Sequence, residues 1–160
     1  MVNDRESIFL TFQALRPDEA ELFLGVIETV LPHAQPQLDL PRIATALVID
    51  AQMVAGLDLR ALVLDGLREV DQSCRRAHGA GFTSVPPEQR VEALRAVEDT
   101  PFFQTLIHIV KADFYNRHIV WRVLGYPDLD REDGYLDHGF DRLPLVGAGT
   151  AEMTGEASRG

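Results

Sequence analysis

The chain has 160 residues, 46% hydrophobic and 25% charged, with a formal net charge of −10. That length and composition fit one domain able to bury a core. The acidic balance argues against a nucleic-acid partner, whose phosphates need clustered Lys and Arg, and against an anionic membrane surface.

The first residues, MVNDRESIFLTFQAL, show no charged stretch followed by a long apolar run, and no twin-Arg pair. As the sequence stands, the cytoplasm is the expected location; with an export signal removed, it would be the periplasm. No apolar run approaches the roughly 18 residues needed to span a bilayer, so no membrane insertion is expected.

Pro17 opens the first helix, where its missing N–H is not needed, and Asp18, Glu19 and Glu21 favour the positive end of the helix dipole. Ala20, Phe23, Leu24, Ile27, Val30 and Leu31 share one face, and Pro32 ends the helix. Pro41 is read as opening the second helix, with Asp39 as a nearby cap, Ile43, Leu47 and Val48 as its stripe, and Gly56 as its end. A third helix runs from about Leu57 to His78, with Ala61, Val63, Leu64, Leu67, Val70, Cys74 and Ala77 facing inward. Gly79 is suited to the left-handed terminating position.

After a loop to Val85, Pro86-Pro87-Glu88 starts a fourth helix carrying Val91, Leu94 and Val97. Thr100 is a good N-cap for the fifth, with Pro101 at its first position. Phe103, Leu106, Ile107, Val110 and Phe114 form one stripe there, and Phe102 and Ile109 lie on a second side. A helix apolar on two sides is either central in its own bundle or covered by a partner. A short helix from about Arg117 to Leu124 ends at Gly125. The fold is read as all-α, a compact bundle of about five to six helices.

The division is a helical domain over residues 1–127 and an acidic C-terminal arm with a flexible tail over 128–160. Asp128 to Asp141 holds six acids and one Arg, interspersed with Tyr135, Leu136 and Phe140. Such a segment is either a disordered terminus or an arm lying on a neighbour, and the residues leave both open.

No constellation supports a catalytic mechanism. The single cysteine, Cys74, permits no internal disulfide and reads as a small core residue. The five histidines make no H-x-x-x-H pair; His108 is placed near an apolar face and His118 at a helix junction. The acidic stretch after Asp128 fails as a calcium loop, with Asp133 where glycine is needed and Gly139 where glutamate is needed. There is no phosphate loop and no dinucleotide fingerprint.

The block Phe102-Phe103, Phe114-Tyr115-Asn116 and Trp121-x-x-Leu124-Gly125-Tyr126-Pro127 resembles the signature that closes the gluconate 2-dehydrogenase subunit 3 family. Leu31-Pro32, Val48-Ile49-Asp50 and the Phe82 loop before Glu88-Gln89-Arg90 agree in order. The resemblance covers about Leu15 to Pro127. It implies a non-catalytic helical small subunit that binds, stabilises and helps assemble a large subunit of the glucose-methanol-choline type. That large subunit would hold FAD and oxidise a sugar, sugar acid or alcohol, in many complexes with a c-type haem subunit as electron acceptor. This chain itself would hold no cofactor and no metal. His33-Ala34-Gln35-Pro36 stands where the family often has a glycine-rich stretch.

The expected partner interface is Phe102, Tyr115, Trp121, Tyr126, Tyr135 and Phe140, with Phe103 and Phe114 assigned to the core. The alternative is a free-standing helical enzyme or ligand-binding protein with His108 or His118 in a pocket.

Overall fold

Proline and glycine set the helix limits throughout. The structure, a computed structural model, describes Ile8 and residues 11–126. From residue 11 on, the described residues form six α-helices: α1 Pro17–Val30, α2 Asp39–Ala55, α3 Leu57–His78, α4 Pro87–Arg95, α5 Pro101–Phe114 and α6 His118–Leu124. Single 3₁₀ turns at Pro36–Leu38 and Phe82–Ser84 join them. No described residue lies in a strand, and the all-α reading holds.

The ends have local causes. The Arg16 N–H donates to Glu19 Oε2 at 2.9 Å, closing the first turn of α1. Thr100 Oγ1 accepts from the Phe103 N–H at 3.3 Å, as expected of an N-cap. Gly79 and Gly125 end α3 and α6 at φ of 75° and 80°, in the left-handed region where a Cβ is strained.

The interior is continuous, built on Phe23, Ile27, Leu38, Ile49, Met53, Leu67, Phe82, Leu106 and Phe114. α3 packs on α4 and α5, and α2 packs on α1, α3 and α5. Gly66 on α3 makes one of these contacts possible. A Cβ there would overlap the Phe102 ring, so glycine is the residue that lets α5 seat this ring on the α3 backbone.

Several expected faces are rotated. α2 starts at Asp39, two residues before Pro41, and Asp39 makes no capping bond; its carboxylate accepts from Arg42 Nη1 at 2.7 Å instead. Ile43, Leu47 and Val48 are only half-buried, and the inward face is Ala46, Ile49 and Met53, with Arg42, Thr45 and Asp50. On α3, Ala61 and Ala77 are exposed. Val91 on α4 is exposed, while Leu94 and Val97 are buried as expected.

The buried polar groups explain the turn of α2. Asp50 accepts from the N–H groups of Gln13 and Ala14 at 2.7 and 3.0 Å, and Arg60 Nε donates to the Ala14 carbonyl at 3.1 Å. Segment 11–16 is thereby tied to α2 and α3. Arg42 Nε donates to the Leu31 carbonyl at 3.0 Å, and its Nη2 donates to the His33 carbonyl, satisfying acceptors past the end of α1. A buried charge with such partners is tolerated at an inward position; without them it would cost several kcal/mol or more.

Gly66→Ala is expected to destabilise the protein. Overpacking costs about 1–3 kcal/mol, which outweighs the roughly 1 kcal/mol alanine gains in helix propensity. Phe102→Ala costs about 3–5 kcal/mol through its cavity. Urea denaturation of the double variant should show a loss smaller than the sum, because the new methyl enters the vacated space. Cys74 is fully buried, and burial, then nearby Asp71, push its thiol above the ordinary range. A thiol-specific reagent at pH 8 should therefore leave the native protein unlabelled and label it fully in denaturant.

Candidate protein-interaction surface

The aromatic end of the molecule is assembled by the junction of α5 and α6. Phe102, Leu106, Val110 and Phe114 lie four residues apart and are all buried, so they define the inner side of α5. Tyr115 follows as the helix terminates, and Arg117 turns the chain into α6. Asp113 holds this corner. Its Oδ2 accepts from the Thr45 hydroxyl at 2.6 Å and from Arg117 Nη2 and Nε at 2.7 and 3.1 Å. α2, α5 and the start of α6 thus meet on one carboxylate oxygen.

Within α6, Val120 is buried and anchors the helix. Trp121 Nε1 donates to the Tyr115 carbonyl, and the His118 ring stacks on Trp121 with centroids 5.4 Å apart. The left-handed Gly125 lets the Tyr126 N–H return to the Trp121 carbonyl at 2.9 Å. This bond leaves Tyr126 beside the end of the helix with its side chain in solvent.

A second aromatic contact comes from the connector after α1. His33 stacks on Phe114, centroids 5.9 Å apart and planes within 7°, and lies edge-on to Tyr115. Its Nε2 and the Tyr115 hydroxyl are 3.0 Å apart, a hydrogen bond whose donor depends on the imidazole tautomer. Arg42 Nη2 donates to the His33 carbonyl and so ties the backbone that carries this ring to α2.

The expected interface residues therefore divide. Phe102 is 3% exposed on the Gly66 notch and is a core residue, whereas Phe103, assigned to the core by its stripe, is only half-buried. Tyr115 and Tyr126 are 36% and 62% exposed, and Trp121 is half-buried between them in sequence. Tyr135 and Phe140 lie outside the described residues. Ile119, 44% exposed on α6, was not singled out by sequence; its neighbours in the apolar run gave no sign of which side was inward.

His108 is exposed on the outer side of α5, not near its apolar face, and His118 is exposed as well. One cleft of about 330 Å³ is lined by Leu24, Glu28, Asp39, Arg42 and Ile43. Another, of about 170 Å³, lies over Val30, Leu94, Phe103 and Ile107. Neither contains a histidine in its lining. Among the described residues no group of three or more His, Cys, Asp or Glu side chains converges as metal ligands would. None of the described helices is long and apolar enough to cross a membrane.

Residues 17–127 match a family model described as gluconate 2-dehydrogenase subunit 3. The chain belongs to the gluconate 2-dehydrogenase subunit 3 family. No curated protein and no solved structure matches it. The family match begins on the first residue of α1 and runs one residue past Tyr126, so it takes in all six helices. Tyr115, Trp121 and Tyr126 lie inside the family region, and Tyr135 and Phe140 beyond it.

Asp113→Ala is expected to loosen this end selectively. It leaves the buried Thr45 hydroxyl without its acceptor, a cost of about 1–3 kcal/mol. It also releases Arg117. Amide hydrogen exchange should accelerate in α6 more than in α1 or α3, and Asp113→Asn, which keeps an acceptor for Thr45, should have the smaller effect.

Proposed function

We propose that this chain is the non-catalytic small subunit of a FAD-dependent oxidoreductase of the glucose-methanol-choline type. It binds the large subunit, stabilises it and assists its assembly. The large subunit carries the flavin and oxidises a sugar, sugar acid or alcohol, and a c-type haem subunit receives the electrons. The observation that carries this reading is the family match across all six helices.

The surface supports it in a second way. Tyr115, Ile119 and Tyr126 are large apolar or aromatic side chains left in solvent on two consecutive short elements. Scattered exposed apolar residues are ordinary, but three along one twelve-residue stretch, beside a half-buried tryptophan, fit a docking patch better. Tyrosine and tryptophan have few rotamers to lose on binding and often dominate interface energies. The corner at Asp113 holds the patch rigid before the partner arrives, which reduces the entropy lost on association.

Co-expression of the chain with a large subunit of this type from the same genome tests this. The expected outcome is soluble, FAD-loaded large subunit that depends on this chain and co-purifies with it. Tyr126→Ala should weaken the complex by about 2 kcal/mol or more, roughly thirtyfold, without changing the melting temperature of the free chain. If the large subunit folds and loads FAD equally well alone, the proposal fails.

A further inference from the structure

Charge is distributed unevenly along this chain, and the aromatic end is where the sign changes. Residues 101–126 hold Lys111, Arg117 and Arg122 against one acid, Asp113, a net of +2 in a chain of −10. Residues 11–100, by contrast, hold fourteen acids and eight arginines. The one acid of the basic stretch is bound to Thr45 and Arg117, so it does not neutralise the outer surface. Nearby Asp39, beside the 3₁₀ turn that packs on α6, is engaged by Arg42.

The remaining cations, Lys111 and Arg122, are both exposed. Gln104, His108, Lys111 and Tyr115 recur at spacings of four, three and four, and all four are exposed. They are the outer stripe of α5, opposite Phe102, Leu106, Val110 and Phe114. On α6, His118, Ile119 and Arg122 are likewise exposed, with Tyr126 just past the helix end. Neither Lys111 nor Arg122 forms an ion pair among the described residues.

We infer that the outer stripe of α5 and the exposed side of α6 form one basic, aromatic docking face whose occupant is an acidic, apolar surface of the large subunit. This rests on the small-subunit reading above. Tyr115, Ile119 and Tyr126 supply the apolar contact, and Lys111 and Arg122 supply attraction and orientation. Two acidic surfaces would repel on approach. A locally positive face reduces that repulsion where it lies, and so favours the orientation in which it meets the partner.

Surface charges of this kind act mainly on the association rate and are screened by salt, since the Debye length shrinks from about 10 Å at 0.1 M to about 3 Å at 1 M. The test measures binding kinetics of the full chain to purified large subunit at 0.05 and 0.5 M NaCl. Association should slow about tenfold over that range. Lys111→Glu with Arg122→Glu should slow it at least tenfold at low salt, and Arg76→Glu, an exposed reversal on α3, should not. The neutral pair Lys111→Gln and Arg122→Gln should give an intermediate loss, and it keeps the test decisive if the reversed pair fails to fold.

A complex whose rates ignore both salt and these variants would overturn the acidic-partner inference and leave the small-subunit reading standing. Absence of any complex with the unmodified chain would overturn both. A chain that is dimeric by itself, and made monomeric by the charge reversals, would reassign the face to self-association and overturn the inference in that way.

Discussion

The seat of the Phe102 ring on Gly66 sets the orientation of everything that follows it. A Cβ at that point of α3 would occupy the ring's position, so the two helices approach to a distance that only glycine permits. With Phe102 inward, Leu106, Val110 and Phe114 must also turn inward, because they repeat every four residues. The outer side of α5 is then determined as well. His108, Lys111 and Tyr115 face solvent because Phe102 does not. One contact between a glycine and a ring therefore decides which residues of the aromatic block are available to a partner.

Three buried or half-buried polar hubs keep that arrangement from sliding. Arg42 holds the carbonyls of Leu31 and His33, Asp50 holds the amides of Gln13 and Ala14, and Asp113 joins Thr45 to Arg117. Each satisfies backbone or hydroxyl groups that would otherwise be stranded away from water. Apolar contacts alone tolerate small rotations of a helix about its axis. Directional bonds from α2 to the end of α1, to segment 11–16 and to α5 restrict such rotations, and the aromatic end inherits the rigidity.

Among the described residues, 11–100 carry fourteen acids against eight arginines, with Leu40, Val54 and Leu57 also exposed among them. The end formed by α5 and α6 is basic and aromatic, lies within the family region, and carries the large side chains most suited to an interface. The rings of His33 and His118 stack on Phe114 and Trp121 there.

Local chemistry made the helical architecture legible in the sequence. Proline at a first position, threonine before it, and glycine at a left-handed terminus act over one or two turns and need no tertiary partner, which is why Pro17, Thr100, Pro101, Gly79 and Gly125 mark limits the structure reproduces. The composition and the ordered aromatic motifs likewise sufficed for the fold class and the family. The inner faces of α2 and α5 were decided only in three dimensions. An apolar count cannot distinguish Phe102 from Phe103 when both sides of a helix are apolar, and it misplaces Arg42, Thr45 and Asp50 because their partners lie as far as 68 residues away in the chain. Burial there depends on a notch in another helix and on distant hydrogen-bond partners, and neither is a property of the segment itself.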